Sequence, residues 1–178
     1  MLSCSLIFLD DAQHIVRPSA YGPFRAMRQA LIDARLQPSA IDHVNCHATS
    51  TPLGDQAELT ALLQLLSNSS DFQTFAETPA SQAFSIKYPN SPKPEVSLTA
   101  SKSQLAHTIS AAGAIESMIA VLSLDTGIVP GTINLDDPEP MPWTLPKTPL
   151  ELSPRVALKN AFAFGGINCS VLFEKAHS

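Results

Sequence analysis

Short apolar runs and longer stretches of helical spacing alternate along the chain. Residues 5–9 (SLIFL) predict a buried strand. Pro23 suits the first position of a helix, and after it Phe24, Met27, Leu31 and Ala34 recur at helical spacing, with Arg25, Arg28 and Asp33 elsewhere on the wheel. Pro38 stops that helix. Ile41 to His47 reads as a β-like stretch broken by Thr49-Ser50-Thr51-Pro52. Asp55 and Glu58 have capping-box spacing, and Leu59, Leu62, Leu63 and Leu66 supply the apolar face of the helix that follows. Residues 67–96 are rich in Ser, Pro, Asn and Thr, with prolines at 79, 89, 92 and 94, and predict a loop or insertion without chemistry of its own. Val96–Thr99 reads as a strand. Residues 111–124 (AAGAIESMIAVLSL) are apolar nearly all round, which predicts a helix buried on most faces. Val156–Leu158 and Ser170–Phe173 are two late strands on either side of a turn at Phe164-Gly165-Gly166. This order predicts an α/β fold with helices packed on a mixed sheet.

Composition narrows the class. The 178 residues suit one domain spanning 1–178, and 44% hydrophobic with 15% charged residues is ordinary for a globular protein. A net charge of −5 argues against a nucleic-acid partner, although Arg25, Arg28 and Arg35 leave room for a local basic spot. Cys4, Cys46 and Cys169 are odd in number and far apart, so a reducing compartment is expected rather than a disulfide framework. The opening MLSCSLIFLDD is too short to span a bilayer and lacks the features of a signal or transit peptide. Neither a targeting segment nor a membrane span is expected.

Several polar residues stand where polarity is costly. Glu116 lies alone in the apolar helix, and an ionised carboxylate there requires a cation, hydrogen bonds or a shifted pKa. Lys102 is the nearest cation in sequence, and His107 lies between the two. A structural salt bridge with a satisfied core histidine, or part of a reactive site, both fit that spacing. His47 follows an apolar strand and precedes Thr49, Ser50 and Thr51, a placement that suits ligand contact in an α/β protein and equally suits a polar loop capping the next helix. Gly165 and Gly166 leave backbone amides accessible, as an oxyanion hole requires or as any tight turn does.

Taken together, the motifs resemble one family. Asn45-Cys46-His47-Ala48-Thr49-Ser50-Thr51-Pro52-Leu53-Gly54-Asp55 resembles the first histidine motif of β-ketoacyl-acyl carrier protein synthases, in the version of mitochondrial and bacterial type II enzymes. Ser101-Lys102-Ser103-Gln104-Leu105-Ala106-His107 with Ala111-Ala112-Gly113-Ala114-Ile115-Glu116 resembles their lysine, second histidine and glutamate block. Gly131-Thr132-Ile133-Asn134-Leu135-Asp136 and the segment from Asn160 to Asn168 (NAFAFGGIN) resemble two C-terminal signatures.

The resemblance implies the C-terminal half of a thiolase-like fold, and an acyltransferase acting by decarboxylative Claisen condensation of a malonyl thioester in fatty acid elongation. It implies that His47 and His107 donate hydrogen bonds to the malonyl thioester oxygen, that Lys102 and Glu116 pair behind them, and that Thr49 and Thr51 bind the phosphopantetheine arm. Phe164, with Gly165 and Gly166, would gate the acyl pocket and contribute to the oxyanion hole. No metal or permanently bound cofactor is implied; the phosphopantetheine of acyl carrier protein is the substrate carrier. The implied partners are that carrier protein, an N-terminal synthase half bearing the cysteine nucleophile, and a second copy in a homodimer. The compartment would be mitochondrial or cytoplasmic. None of the three cysteines matches the nucleophile motif, so the alternatives are a non-catalytic partner subunit or an inactive fragment. An isolated half is expected to expose the surface that meets its sister half. Ala106, Ser110 and Ala163 stand where the family usually has glycine, and each is expected to cost about 1 kcal/mol if its φ is positive.

Overall fold

The structure, a computed structural model, describes residues 2–8, 18–67 and 96–176. The Ser/Pro-rich segment 67–96 therefore lies almost wholly outside the described residues. The elements follow in the order β1 (Leu2–Phe8), α1 (Tyr21–Ala34), β2 (His43–Asn45), α2 (Pro52–Ser67), β3 (Ser97–Thr99), α3 (Lys102–Leu105), α4 (Ala112–Thr126), β4 (Ile128–Val129), β5 (Leu150–Glu151), β6 (Val156–Ala163) and β7 (Ile167–Glu174). The main sheet has the order β1-β7-β6-β2-β3. Its β1–β7 and β7–β6 pairs are antiparallel, and β6–β2 and β2–β3 are parallel, so the sheet is mixed as expected. The short α3 and the small β4–β5 ladder carry no pattern long enough to be read from sequence.

Strand alternation sends successive side chains to opposite faces. On one face Val44, Leu98, Leu158 and Leu172 join Phe24, Met27 and Leu31 of α1 and Leu62, Leu65 and Leu66 of α2 in the main core. On the other, Ala157 packs with Ala120 and Leu124 of α4. α1 ends at Arg35, which takes the left-handed conformation (φ 57°) and returns its amide to Ile32 and Leu31, ahead of Pro38.

Two helices differ from expectation. α2 starts at Pro52, with proline in its first turn, and Asp55 accepts a hydrogen bond from the Ser50 amide at 3.2 Å. Glu58 is not a cap: it is buried one turn before Leu62 and faces inward. α4 is also not covered on most faces. A stripe of Ala112, Glu116, Ala120, Ser123 and Leu124 is buried, whereas Met118 (58%), Leu122 (57%) and Val121 (44%) are exposed. An all-apolar sequence cannot specify which of its faces the tertiary structure covers. Ile109–Thr126 is long and apolar enough to cross a membrane. Its Glu116 carboxylate, however, sits in an ion pair against the sheet, as suits a packed helix.

Candidate active site

Three strand ends deliver the site. β2 runs into Cys46–Thr51, β3 into Ser101 and α3, and β6 into Asn160–Ala163; the three strands run parallel, so these ends meet at one edge of the sheet. Asn45 donates to the Ser101 hydroxyl at 2.8 Å and ties the first two segments together. The Gly131–Asp136 motif braces α3. The Thr132 hydroxyl accepts from the Ala100 amide at 3.0 Å, Gln104 donates to the Gly131 carbonyl at 2.7 Å, and the Ile133 amide donates to Ser103 at 3.2 Å.

His47 and His107, sixty residues apart in sequence, lie edge to face with ring centroids 5.7 Å apart. Phe162 flanks His47 on another side at 5.6 Å. Burial, with Lys102, Lys159 and His107 adding positive field, lowers the His47 pKa to about 3, so its imidazole is neutral. The Nδ1 of His107 accepts a hydrogen bond from the Ile109 amide at 3.1 Å. That leaves Nε2 as the ring nitrogen able to donate. Two imidazoles meeting in this way can donate to one oxygen on which negative charge develops.

Behind them lies a buried ionic cluster. Lys102 Nζ meets the Glu116 carboxylate at 2.7 and 3.0 Å and also donates to the His47 carbonyl. Lys159, a residue the sequence reading passed over, approaches one Glu116 oxygen at 2.8 Å. Glu58, read from sequence as a cap, accepts the His47 and Ala48 amides at 2.9 Å each and the Asn160 side chain at 3.0 Å. Burial raises the Glu58 pKa, and those amides, Asn160 and Lys159 oppose the rise. Both residues had a signal: Lys159 is a charge inside an apolar strand, and Glu58 lies one turn before Leu62 on the buried side of α2.

Thr49 and Thr51 bring their hydroxyls within 3.2 Å of each other at the start of α2. A Cβ at Gly54 would stand 2.5 Å from the Thr51 hydroxyl, so only glycine leaves Thr51 that position. Phe164 is 73% exposed in the β6–β7 turn, and Gly165 and Gly166 take φ of 81° and 77° there. The structure thus brings His47, His107, Lys102 and Glu116 together and places Phe164 in a protruding turn.

The three substituted glycine positions divide. Ala106, directly before His107, has φ 59° and ψ −178°, a region nearly reserved for glycine. Ser110 and Ala163 are outside the positive-φ region, so the expected cost does not arise at either. Cys46 is buried, and burial, with Glu58 and Asp55 adding to it, pushes its thiol well up, which makes it a poor thiolate. Cys169 is half-buried on β7, and the Cys4 side chain lies outside the described residues. Among the described residues, no three His, Cys, Asp or Glu side chains gather as a metal site.

Comparison with known proteins agrees with the motifs. The chain matches the family described as beta-ketoacyl synthase, C-terminal domain, over residues 2–78 and 75–136. It is 35% identical over 168 residues to Nodulation protein E of Rhizobium meliloti, covering 93% of this chain and 36% of that protein. It is likewise 35% identical to the mitochondrial 3-oxoacyl-[acyl-carrier-protein] synthase of Arabidopsis thaliana, covering 96% of this chain and 33% of the relative. The solved structure of the PfaC keto synthase–chain length factor superposes with a TM-score of 0.77 at 28% identity, covering 98% of this chain and 17% of that one. The chain spans about a third of the length of the curated relatives it matches.

Proposed function

We propose, since the chain belongs to the β-ketoacyl synthase family through its C-terminal domain, that it supplies the decarboxylation half of a 3-oxoacyl-[acyl-carrier-protein] synthase. Its thiolase-like α/β architecture is that of the family. In this reading a malonyl thioester lies with its carbonyl oxygen between His47 and His107. Loss of CO2 leaves the electron pair of the breaking C–C bond on the thioester enolate, whose oxygen both imidazoles stabilise without taking a proton. The α-carbon then attacks an acyl thioester on a cysteine supplied from outside the described residues, and that thiolate leaves as the new C–C bond forms. Thr49 and Thr51 hold the phosphopantetheine arm of acyl carrier protein. The Phe164–Gly166 turn gates the acyl pocket, and its amides face the condensation oxyanion.

The observation that carries this reading is the convergence of the two histidine rings over the Lys102–Glu116 pair. Preorganised donors of this kind are worth about 3–4 kcal/mol each in a transition state. The expected outcome is that His47→Ala and His107→Ala, made in the full-length protein, each lower malonyl-acyl carrier protein decarboxylation by about a hundredfold or more. Near wild-type decarboxylation in both variants would overturn the assignment.

A second reading has one observation behind it: the superposed PfaC protein is a keto synthase–chain length factor. A non-catalytic partner subunit would keep this fold and its ionic cluster without turnover. Full-length protein that binds a complete synthase but does not decarboxylate would favour it. The mitochondrial relative supports a mitochondrial setting for the chain, and fractionation of source cells tests that.

A further inference from the structure

Lys159 is 1% exposed and points from β6 into the space between the sheet and α4. Among the described residues its ammonium meets only oxygens: the Glu116 carboxylate at 2.8 Å, the Cys46 carbonyl at 3.5 Å and the carbonyl of its neighbour Asn160. Those atoms belong to α4, to the residue that follows β2 and to β6; β2 and β6 are already paired in the sheet, and α4 packs on β6 through Ala120, Leu124 and Ala157. A lysine is one of the residues least often buried, and burial draws this one below the ordinary lysine range while Glu116 and Glu58 hold it up. A large desolvation cost at one position calls for a corresponding role.

The geometry around His47 supplies one. The carbonyls of Cys46 and His47 each face a lysine, Lys159 and Lys102, while the amides of His47 and Ala48 both donate to Glu58. The peptide units on both sides of the His47 Cα are thus held between two cations and one carboxylate. They enter a loop that needs holding, since Ala48 and Ser50 both take positive φ, 32° and 62°. Glu116 links the two lysines, Lys102 spanning both carboxylate oxygens and Lys159 sharing one of them. The charges facing Lys159 are Glu116 from α4, Lys102 from α3 and Glu58 from α2, so two buried cations balance two buried carboxylates.

We propose that Lys159 is a positioning residue: a tethered ammonium in an oxygen cage that locks the Cys46–His47 peptide to Glu116 and so fixes the direction in which the His47 imidazole points. It touches no reacting atom and acts through His47. The inference rests on the role given to His47 above for its kinetic readout, but not for its structural ones.

The test uses full-length protein with Lys159→Met, which keeps the stem and removes the charge, and Lys159→Ala, which opens the cage to an added cation. Lys159→Met is expected to lower kcat for malonyl-acyl carrier protein decarboxylation by about a hundredfold, the cost of misplacing a catalytic group by about an ångström, with KM little changed. The His47 ring resonances should move in the same variant. For Lys159→Ala, ammonium chloride should restore kcat and melting temperature, and tetramethylammonium chloride, too large for the cage, should restore neither. A folded Lys159→Met protein with wild-type kcat and unmoved His47 resonances overturns the proposal. So does Lys159→Ala responding equally to both salts. If Lys159→Met does not fold, the melting temperature of Lys159→Ala in the two salts decides the matter. If wild type itself fails to decarboxylate, the enzymatic reading fails, and the His47 resonances and the ammonium-specific stabilisation still decide the role of Lys159.

Discussion

Replacing Glu116 by glutamine leaves two ammonium groups, from Lys102 and Lys159, facing a neutral amide in a space where neither side chain reaches bulk water. Replacing Lys102 by methionine is a milder change, because Glu116 keeps Lys159 at 2.8 Å. The sequence alone pairs Glu116 with Lys102, so that losing the lysine would strand the carboxylate; the second lysine changes that. Removing one partner of a buried pair costs about 3–5 kcal/mol when it leaves an uncompensated charge. Glu116→Gln belongs at or above that range, since it uncovers two cations. Lys102→Met leaves the His47 carbonyl and one Glu116 oxygen without their donor, which costs about 1–3 kcal/mol. Urea unfolding followed through Trp143, the single tryptophan and a member of the main core, reads both variants. The expected order is Glu116→Gln well below Lys102→Met in midpoint, at equal slope. Equal midpoints, or Lys102→Met the less stable of the two, would refute a carboxylate shared between two lysines.

Ala106→Gly is expected to stabilise the protein by about 1 kcal/mol or more, because φ 59° with ψ −178° strains any residue with a Cβ; an unchanged or lower melting temperature would show that no strain is stored beside His107. The His43 and His47 imidazoles are expected to stay neutral at pH 5 in NMR titrations, since burial lowers their pKa values from 6.5 to about 4 and about 3. With folded values below the unfolded ones, their contribution to stability is fully present above pH 6.5 and drains as pH falls toward 4 and 3. Either ring titrating near 6.5 would contradict the burial argument.

The sequence by itself determined the order of the long helices and of the main-sheet strands, the family, and which two histidines its motifs carry. Phe24, Met27 and Leu31 recur at a period that only a helix can bury, and the motif at Asn45–Asp55 specifies a strand, a polar loop and a helix start. The Lys102–Glu116 pair was legible too, because a carboxylate in an apolar helix has to find a cation and one lay close in sequence. Tertiary structure decided the rest. Lys159 joins the same carboxylate from a strand forty-three residues beyond Glu116, a distance that local periodicity cannot encode. The spacing of Asp55 and Glu58 fits a cap and equally fits an inward-facing acid, and only the arrival of the His47 and Ala48 amides settles which. In α4, residues apolar on every side left the covered face undefined until the sheet took Ala120 and Leu124 and left Met118 and Leu122 outside. Local sequence fixes which residues must be buried or paired; the packing of elements distant in sequence fixes what they meet.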